Sequence, residues 1–184
     1  MRTLSSQPPF LCAAVLAGLL GVSAPAAAEG LDLALTTAVG SADHVRKHGI
    51  VLGWTRPRPL WQGEQWRLML RHEVELAAWS VPRARDLVEL GYSPVLRLER
   101  PLSGTSVFFV EGSIGARLLS HTRVSAERRM GTAFQFADML GLGWQWGRHG
   151  HSTLGLRLQH ISNLGIKRPN PGIEFLQVYY RYRF

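Results

Sequence analysis

Cysteine is almost missing from this chain: Cys12 is the only one, and it falls inside a stretch that reads as a leader. Residues 1–28 combine Arg2 in a short start, an apolar stretch from Phe10 to Val22, and Ala26-Ala27-Ala28 ahead of Glu29. This is the anatomy of a secretory signal with a small-residue cleavage site. Cys12 lies too near the start for an apolar stretch to precede it, so a lipoprotein signal is excluded and the cysteine is lost with the leader. Residues 29–184 are therefore expected as an exported mature chain without thiols, which rules out a disulfide-stapled fold and a cysteine nucleophile. Long apolar runs are lacking too. Nothing after Ala28 approaches the roughly 18 apolar residues of a helical span, so any membrane insertion must be as a barrel. Charge is sparse, with Asp, Glu, Lys and Arg at 18% of residues, below the roughly 25% usual in soluble domains. It is also lopsided, at a formal +8 of which the leader carries a single positive charge. A basic envelope protein suits phosphorylated or acidic lipid, whereas nucleic acid is not a partner outside the cytoplasm. With no repeat, linker or low-complexity tract, the mature chain reads as one domain.

What is present is alternation. Apolar residues recur on one parity in eight tracts, each close to the roughly 9–11 residues of a tilted transmembrane strand. They run Leu31 to Val39, His48 to Trp54, Trp66 to Leu76, Val88 to Leu98, Phe108 to Leu118, Phe134 to Trp144, Leu154 to Ser162 and Glu174 to Phe184. The opposite parity is polar or small and carries both charge signs, including Arg71, Glu73, Glu75, Glu89, Arg97, Glu111, Arg117 and Arg157. The expected fold is all-β, an eight-stranded antiparallel transmembrane β-barrel whose lumen is filled by ion pairs rather than open as a pore.

Turn spacing sets the orientation. Short connectors such as Arg56-Pro57-Arg58-Pro59, Pro101-Leu102-Ser103-Gly104 and Arg148-His149-Gly150 alternate with generally longer polar segments, as periplasmic turns alternate with external loops. Trp54, Trp66, Phe108, Trp144, Trp146, Tyr180, Tyr182 and Phe184 gather at the short-turn ends, as an interfacial girdle does. Two residues depart from the pattern. His72 faces lipid, either as a neutral imidazole or covered by a partner subunit, which leaves a homodimer open. Asp138 interrupts the sixth tract and suggests a bulge or a strand end.

The chemistry lies in the last thirty residues. His160, Ser162 and Glu174 share the parity of Leu154, Leu156, Leu158, Leu176 and Val178, so three polar groups stand among lipid-facing side chains, near the outer leaflet. His160 and Ser162 are two apart, with Cα atoms roughly 6.5 Å apart on one face. If residues 163–172 form the hairpin loop, Glu174 lies directly or diagonally across from His160. This is the logic of a serine hydrolase: the imidazole takes the Ser162 proton, the carboxylate holds its tautomer, and the hydroxyl attacks an ester carbonyl. Oxyanion donors could come from Asn163, Asn170 or the loop backbone. Lys167 and Arg168, solvated charges by default, stand where lipid phosphates would be contacted. Taken singly, each of the three is more often an interfacial or solvated residue; their convergence on the costly lipid side carries the functional reading.

The run Leu158-Gln-His160-Ile-Ser162-Asn163, followed by Gly165-Ile-Lys-Arg-Pro-Asn170-Pro-Gly172-Ile-Glu174, closely resembles the lipid A 3-O-deacylase (PagL) family of outer-membrane barrels. The resemblance implies Ser162 as nucleophile, His160 as base, Glu174 as its orienter and Asn170 as the loop asparagine supporting the oxyanion. It further implies hydrolysis of the ester-linked 3-hydroxyacyl chain at position 3 of lipid A, without metal or cofactor. The motif covers only about the last thirty residues; elsewhere the likeness is architectural. Two rivals belong beside it. A non-enzymatic barrel of adhesion or envelope integrity has no use for the polar trio. An outer-membrane phospholipase resembles a larger, calcium-dependent barrel, and no acidic calcium cluster is evident here.

Overall fold

A computed structural model describes residues 30–184, so the leader read at residues 1–28 lies outside the described residues. Eight long strands dominate: β1 (Leu31–Gly40), β2 (Arg46–Thr55), β3 (Arg67–Ser80), β4 (Leu87–Pro101), β5 (Val107–Leu119), β6 (Phe134–Trp146), β7 (Ser152–Ser162) and β8 (Ile173–Arg183). Each pairs antiparallel with its sequence neighbours, and β1 pairs with β8 from Asp32↔Arg183 to Gly40↔Phe175. The sheet is therefore a closed barrel. Closure leaves no edge whose backbone groups would lack partners in hydrocarbon, and this is the condition for a sheet to cross a membrane.

Side chains alternate strictly between wall faces. Outward, the strands present exposed Leu35, Ile50, Leu90, Ile114, Leu140 and Leu158, with Trp54, Trp144, Trp146, Tyr180 and Tyr182 exposed at the end where both described termini lie. Inward, the middle of the lumen is a network of charges. Glu73 meets Arg71 at 3.3 Å, Arg157 at 2.9 Å and Arg181 at 2.6 Å, while Glu89 meets Arg117 at 2.7 Å and Lys47 at 3.5 Å. The loop end of the lumen differs from the expected salt-bridged filling. There Trp79, Leu87, Leu119, Met130, Ile161 and Phe175 form an apolar plug.

Loop lengths only partly follow the sequence reading. The turn after β2, residues 56–66, includes a two-residue pairing of Trp61–Gln62 with β3 and is longer than the loop after β1, residues 41–45. The remaining loops are residues 81–86, 120–133 and 163–172, and the remaining turns 102–106 and 147–151. Asp138 marks neither a bulge nor a strand end: β6 runs unbroken through it, paired to Ile114 on one side and His160 on the other. Its sequence signal reflected a polar side chain on the outer wall, not a broken ladder. His72 is satisfied locally, with Nδ1 2.8 Å from the Tyr92 hydroxyl and its ring stacked 5.3 Å from that of Trp54.

Candidate active site

Strands β7 and β8 pair from Ser152↔Tyr182 to Ile161↔Ile173, which sets His160 directly opposite Glu174. Alternation then sends Ile161 and Ile173, both 0% exposed, into the apolar plug while their neighbours face out. The polar trio is thus mounted on two strands whose inward side chains are locked by packing, a rigid base for positioned chemistry. His160 Nδ1 lies 3.2 Å from Glu174 Oε1. With the carboxylate accepting the Nδ1 hydrogen, Nε2 is the ring atom left to accept a proton. The ring rests on Gly172, where a Cβ would come within 2.7 Å of His160 Cε1 and where φ is 65°. Both facts call for glycine there.

Ser162 ends β7 on the same outer parity but is only 6% exposed. Its Oγ accepts the Leu164 N–H at 3.5 Å, and no hydrogen bond joins it to the imidazole in this structure. Asn163 braces the loop. It is 0% exposed, its Oδ1 accepts the Gly165 N–H at 3.0 Å, and its Nδ2 donates to the Lys167 carbonyl at 2.7 Å. This Asx-type turn carries Leu164 through a positive φ of 51°. Asn170 Oδ1 accepts the Asn163 N–H at 2.9 Å, leaving its Nδ2 without a partner among the described residues. Of the two asparagines read as oxyanion candidates, Asn163 has its side-chain donor engaged within the loop and Asn170 does not. Lys167 and Arg168 are exposed on the loop crest, without ion pairs among the described residues. The neighbouring loop buttresses this one: Arg128 donates to the Gly172 carbonyl at 3.2 Å.

Two residues beside the trio were not placed there by the sequence reading: Ser41, which it did not single out, and Asp138, which it read as a bulge or strand end. Ser41, at the end of β1, donates its hydroxyl to Glu174 Oε2 at 2.5 Å and accepts the Glu174 N–H at 3.2 Å. Asp138 stands beside His160 on the other side, directly across from it in the register, without a hydrogen bond or ion pair among the described residues. Beyond Asp138 a depression of about 1010 Å³ follows the outer wall, lined by Leu158, Leu140, Ile114, Gly112 and Leu96 and opening beside His160 and Glu174. Of the apolar residues that share the trio's parity, Leu154, Leu156, Leu158, Leu176 and Val178, only Leu158 lines the depression. The outward side chains of β4, β5 and β6 complete it, and the alternation along β7 and β8 held no information about them. Leu154, Leu156 and Val178 line a separate hollow of about 600 Å³ nearer the aromatic end.

Comparison with known proteins follows from this arrangement. A family model described as lipid A 3-O-deacylase (PagL) matches residues 48–183. A lipid A deacylase PagL from Bordetella bronchiseptica is 35% identical over 149 residues, covering 79% of this chain and 80% of that protein. One from Pseudomonas aeruginosa is 32% identical over 171 residues, covering 91% and 94%. A crystal structure of the outer membrane enzyme PagL superposes with a TM-score of 0.75 at 25% identity, covering 83% of this chain and 99% of that one. The fold and its relatives define an outer-membrane β-barrel enzyme, an ester hydrolase. Within that class, the chain belongs to the lipid A 3-O-deacylase (PagL) family.

Proposed function

We propose that the protein removes the ester-linked 3-hydroxyacyl chain at position 3 of lipid A, working as a serine esterase with Ser162, His160 and Glu174. The observation that carries this reading is the direct pairing of His160 with Glu174, with their side chains 3.2 Å apart, two residues from Ser162 on a face that lipid covers. For the reaction the Ser162 hydroxyl turns from the Leu164 N–H towards His160 Nε2, the ring nitrogen that Glu174 leaves free. The imidazole then takes the hydroxyl proton as Oγ attacks the ester carbonyl. Asn170 Nδ2 donates to the oxyanion of the tetrahedral intermediate. Collapse returns the proton to the departing sugar hydroxyl, and water attacks the acyl-enzyme with His160 again as base, releasing the fatty acid and regenerating Ser162.

Substrate access is lateral. His160 and Glu174 border the apolar depression on the outer wall, so an acyl chain lying in it reaches them from within the outer leaflet without leaving hydrocarbon. The loops above carry Arg83, Arg85, Arg123, Arg128, Arg129, Lys167 and Arg168 against Asp43, Asp86 and Glu127, an excess of cations at the height of lipid A phosphates. Lys167 and Arg168 adjoin the site itself and contact those phosphates. An adhesion barrel would need neither the trio nor the depression.

Incubation of the purified protein with hexa-acylated lipid A tests the reading by mass spectrometry. The expected product lacks one 3-hydroxy fatty acid, and Ser162→Ala lowers the rate by about 10⁴-fold or more while the barrel stays folded. Cleavage of phospholipid with lipid A untouched would refute the substrate, and undiminished activity of Ser162→Ala would refute the nucleophile.

A further inference from the structure

Glu174 opens a strand at the membrane surface, and its side chain is 58% exposed. A glutamate so placed has many rotamers available, and fixing one long side chain costs conformational entropy. A carboxylate that orients an imidazole must nonetheless spend most of its time in one of them. In this molecule something outside β7 and β8 supplies the restraint.

That something is Ser41. Its N–H donates to the Glu174 carbonyl at 2.8 Å, extending the β1–β8 ladder one step beyond Gly40↔Phe175. The backbone of Ser41 is thereby fixed beside Glu174 before its side chain is considered. The hydroxyl is then used in both directions. It accepts the Glu174 N–H at 3.2 Å, so its own hydrogen is free to point at Oε2, which lies 2.5 Å away. One carboxylate oxygen is tied to β1 and the other faces His160 Nδ1. The loop that follows is short and closed on itself, with the Gly40 N–H donating to the Val45 carbonyl at 2.7 Å, so the clamp does not swing with a mobile segment.

We propose that Ser41 is a positioning residue for the reaction, a fourth member of the chain that runs Ser162, His160, Glu174, Ser41, holding Glu174 in the rotamer that orients the imidazole. The proposal rests on the triad reading above. Its range of effect is bounded by the rotamer argument. Losing the clamp leaves Glu174 in place but spread over alternatives, so the rate falls while the binding of lipid, which Ser41 does not touch, is unaltered.

The experiment measures kcat and KM on lipid A for wild type, Ser41→Ala, Ser41→Thr, Glu174→Ala and the double variant Ser41→Ala/Glu174→Ala. Rates are expressed per site titrated with a serine-directed probe, so that any unfolded fraction drops out. Ser41→Ala is expected to lose about 3–10-fold in kcat with KM unchanged. Ser41→Thr, which keeps the hydroxyl, restores most of that loss. In the Glu174→Ala background, removal of the Ser41 hydroxyl has no further effect, because the group it positions is gone. Wild-type kcat in Ser41→Ala overturns the proposal, as does a loss repeated in full when Glu174 is absent. If Glu174→Ala itself matches wild type, it is the triad reading that fails; a slow Glu174→Ala beside an unaffected Ser41→Ala fails the clamp alone.

Discussion

On the lumen side of the wall Glu73 is surrounded by Arg71, Arg157 and Arg181; on the outer side Glu174 meets one imidazole and one hydroxyl. Both are glutamates on strands of the same barrel. The inner one is 4% exposed, and its oxygens are consumed by guanidinium groups that are themselves buried. Such an arrangement is closed off by burial, and its members answer chiefly to one another. Outside, each polar group keeps something in hand: Nε2 of His160, Nδ2 of Asn170, the hydroxyl hydrogen of Ser162. What sets the outer group apart is that its free hydrogen-bonding atoms stand where a ligand can reach them, whereas those of the lumen are buried. A charge count alone points into the lumen.

The contrast can be broken by experiment. Glu73→Ala strips three arginines of their common partner and should destabilise the barrel by about 3–5 kcal/mol, the cost typical of breaking a buried ionic cluster. The heat-modifiable band on a gel should be lost at lower temperature, while the activity of each folded molecule is retained. A folded Glu73→Ala barrel as inactive as a Ser162 variant would show that the lumen takes part in the chemistry.

A finer contrast lies on the outer wall, where His160 has a carboxylate on either side in the strand register. Only Glu174 is bonded to the ring. Glu174→Gln should therefore lower kcat by about 10²-fold, and Asp138→Asn by no more than about twofold. Equal losses in steady-state rates would show that the imidazole uses both neighbours.

A smaller loss than that of the Glu174 variant concerns the depression. At Gly112 an added Cβ would meet its nearest atom, the Met139 carbonyl oxygen, at 3.6 Å, so a side chain fits without distorting the strand and projects into the space beside Leu140. Gly112→Val should reduce kcat/KM on lipid A by about 3–10-fold, on the scale of lost methylene contacts, and leave hydrolysis of a short water-soluble ester unchanged. Equal reduction on both esters would remove the depression from the acyl path.

The fold was largely legible because period-two alternation reports the wall directly, and a bilayer tolerates few exceptions to it. The pairing of His160 with Glu174 was legible for a related reason: adjacent strands joined by one loop have few registers. Ser41 was not. It lies 133 residues from Glu174 and becomes its neighbour only when β1 closes on β8, a contact written in no local spacing. Asp138 misled for the opposite reason, since a carboxylate among apolar residues reads as a break in the strand unless its cross-strand neighbour is known. The apolar plug was hidden as well. Its members come from seven strands and the loops 41–45, 81–86 and 120–133, and parity shows only that the strand members point inward, not how far up the lumen they gather.

The seam where the barrel shuts passes through the site. His160 and Ser162 belong to the penultimate strand, Glu174 to the last, and Ser41 follows directly on the first. Until the two ends of the sheet meet, the chain holds a serine and a histidine but no clamped carboxylate. On the Ser41 proposal, the last hairpin brings His160 and Glu174 together by itself, and closure of the barrel then adds the clamp that fixes the carboxylate's rotamer.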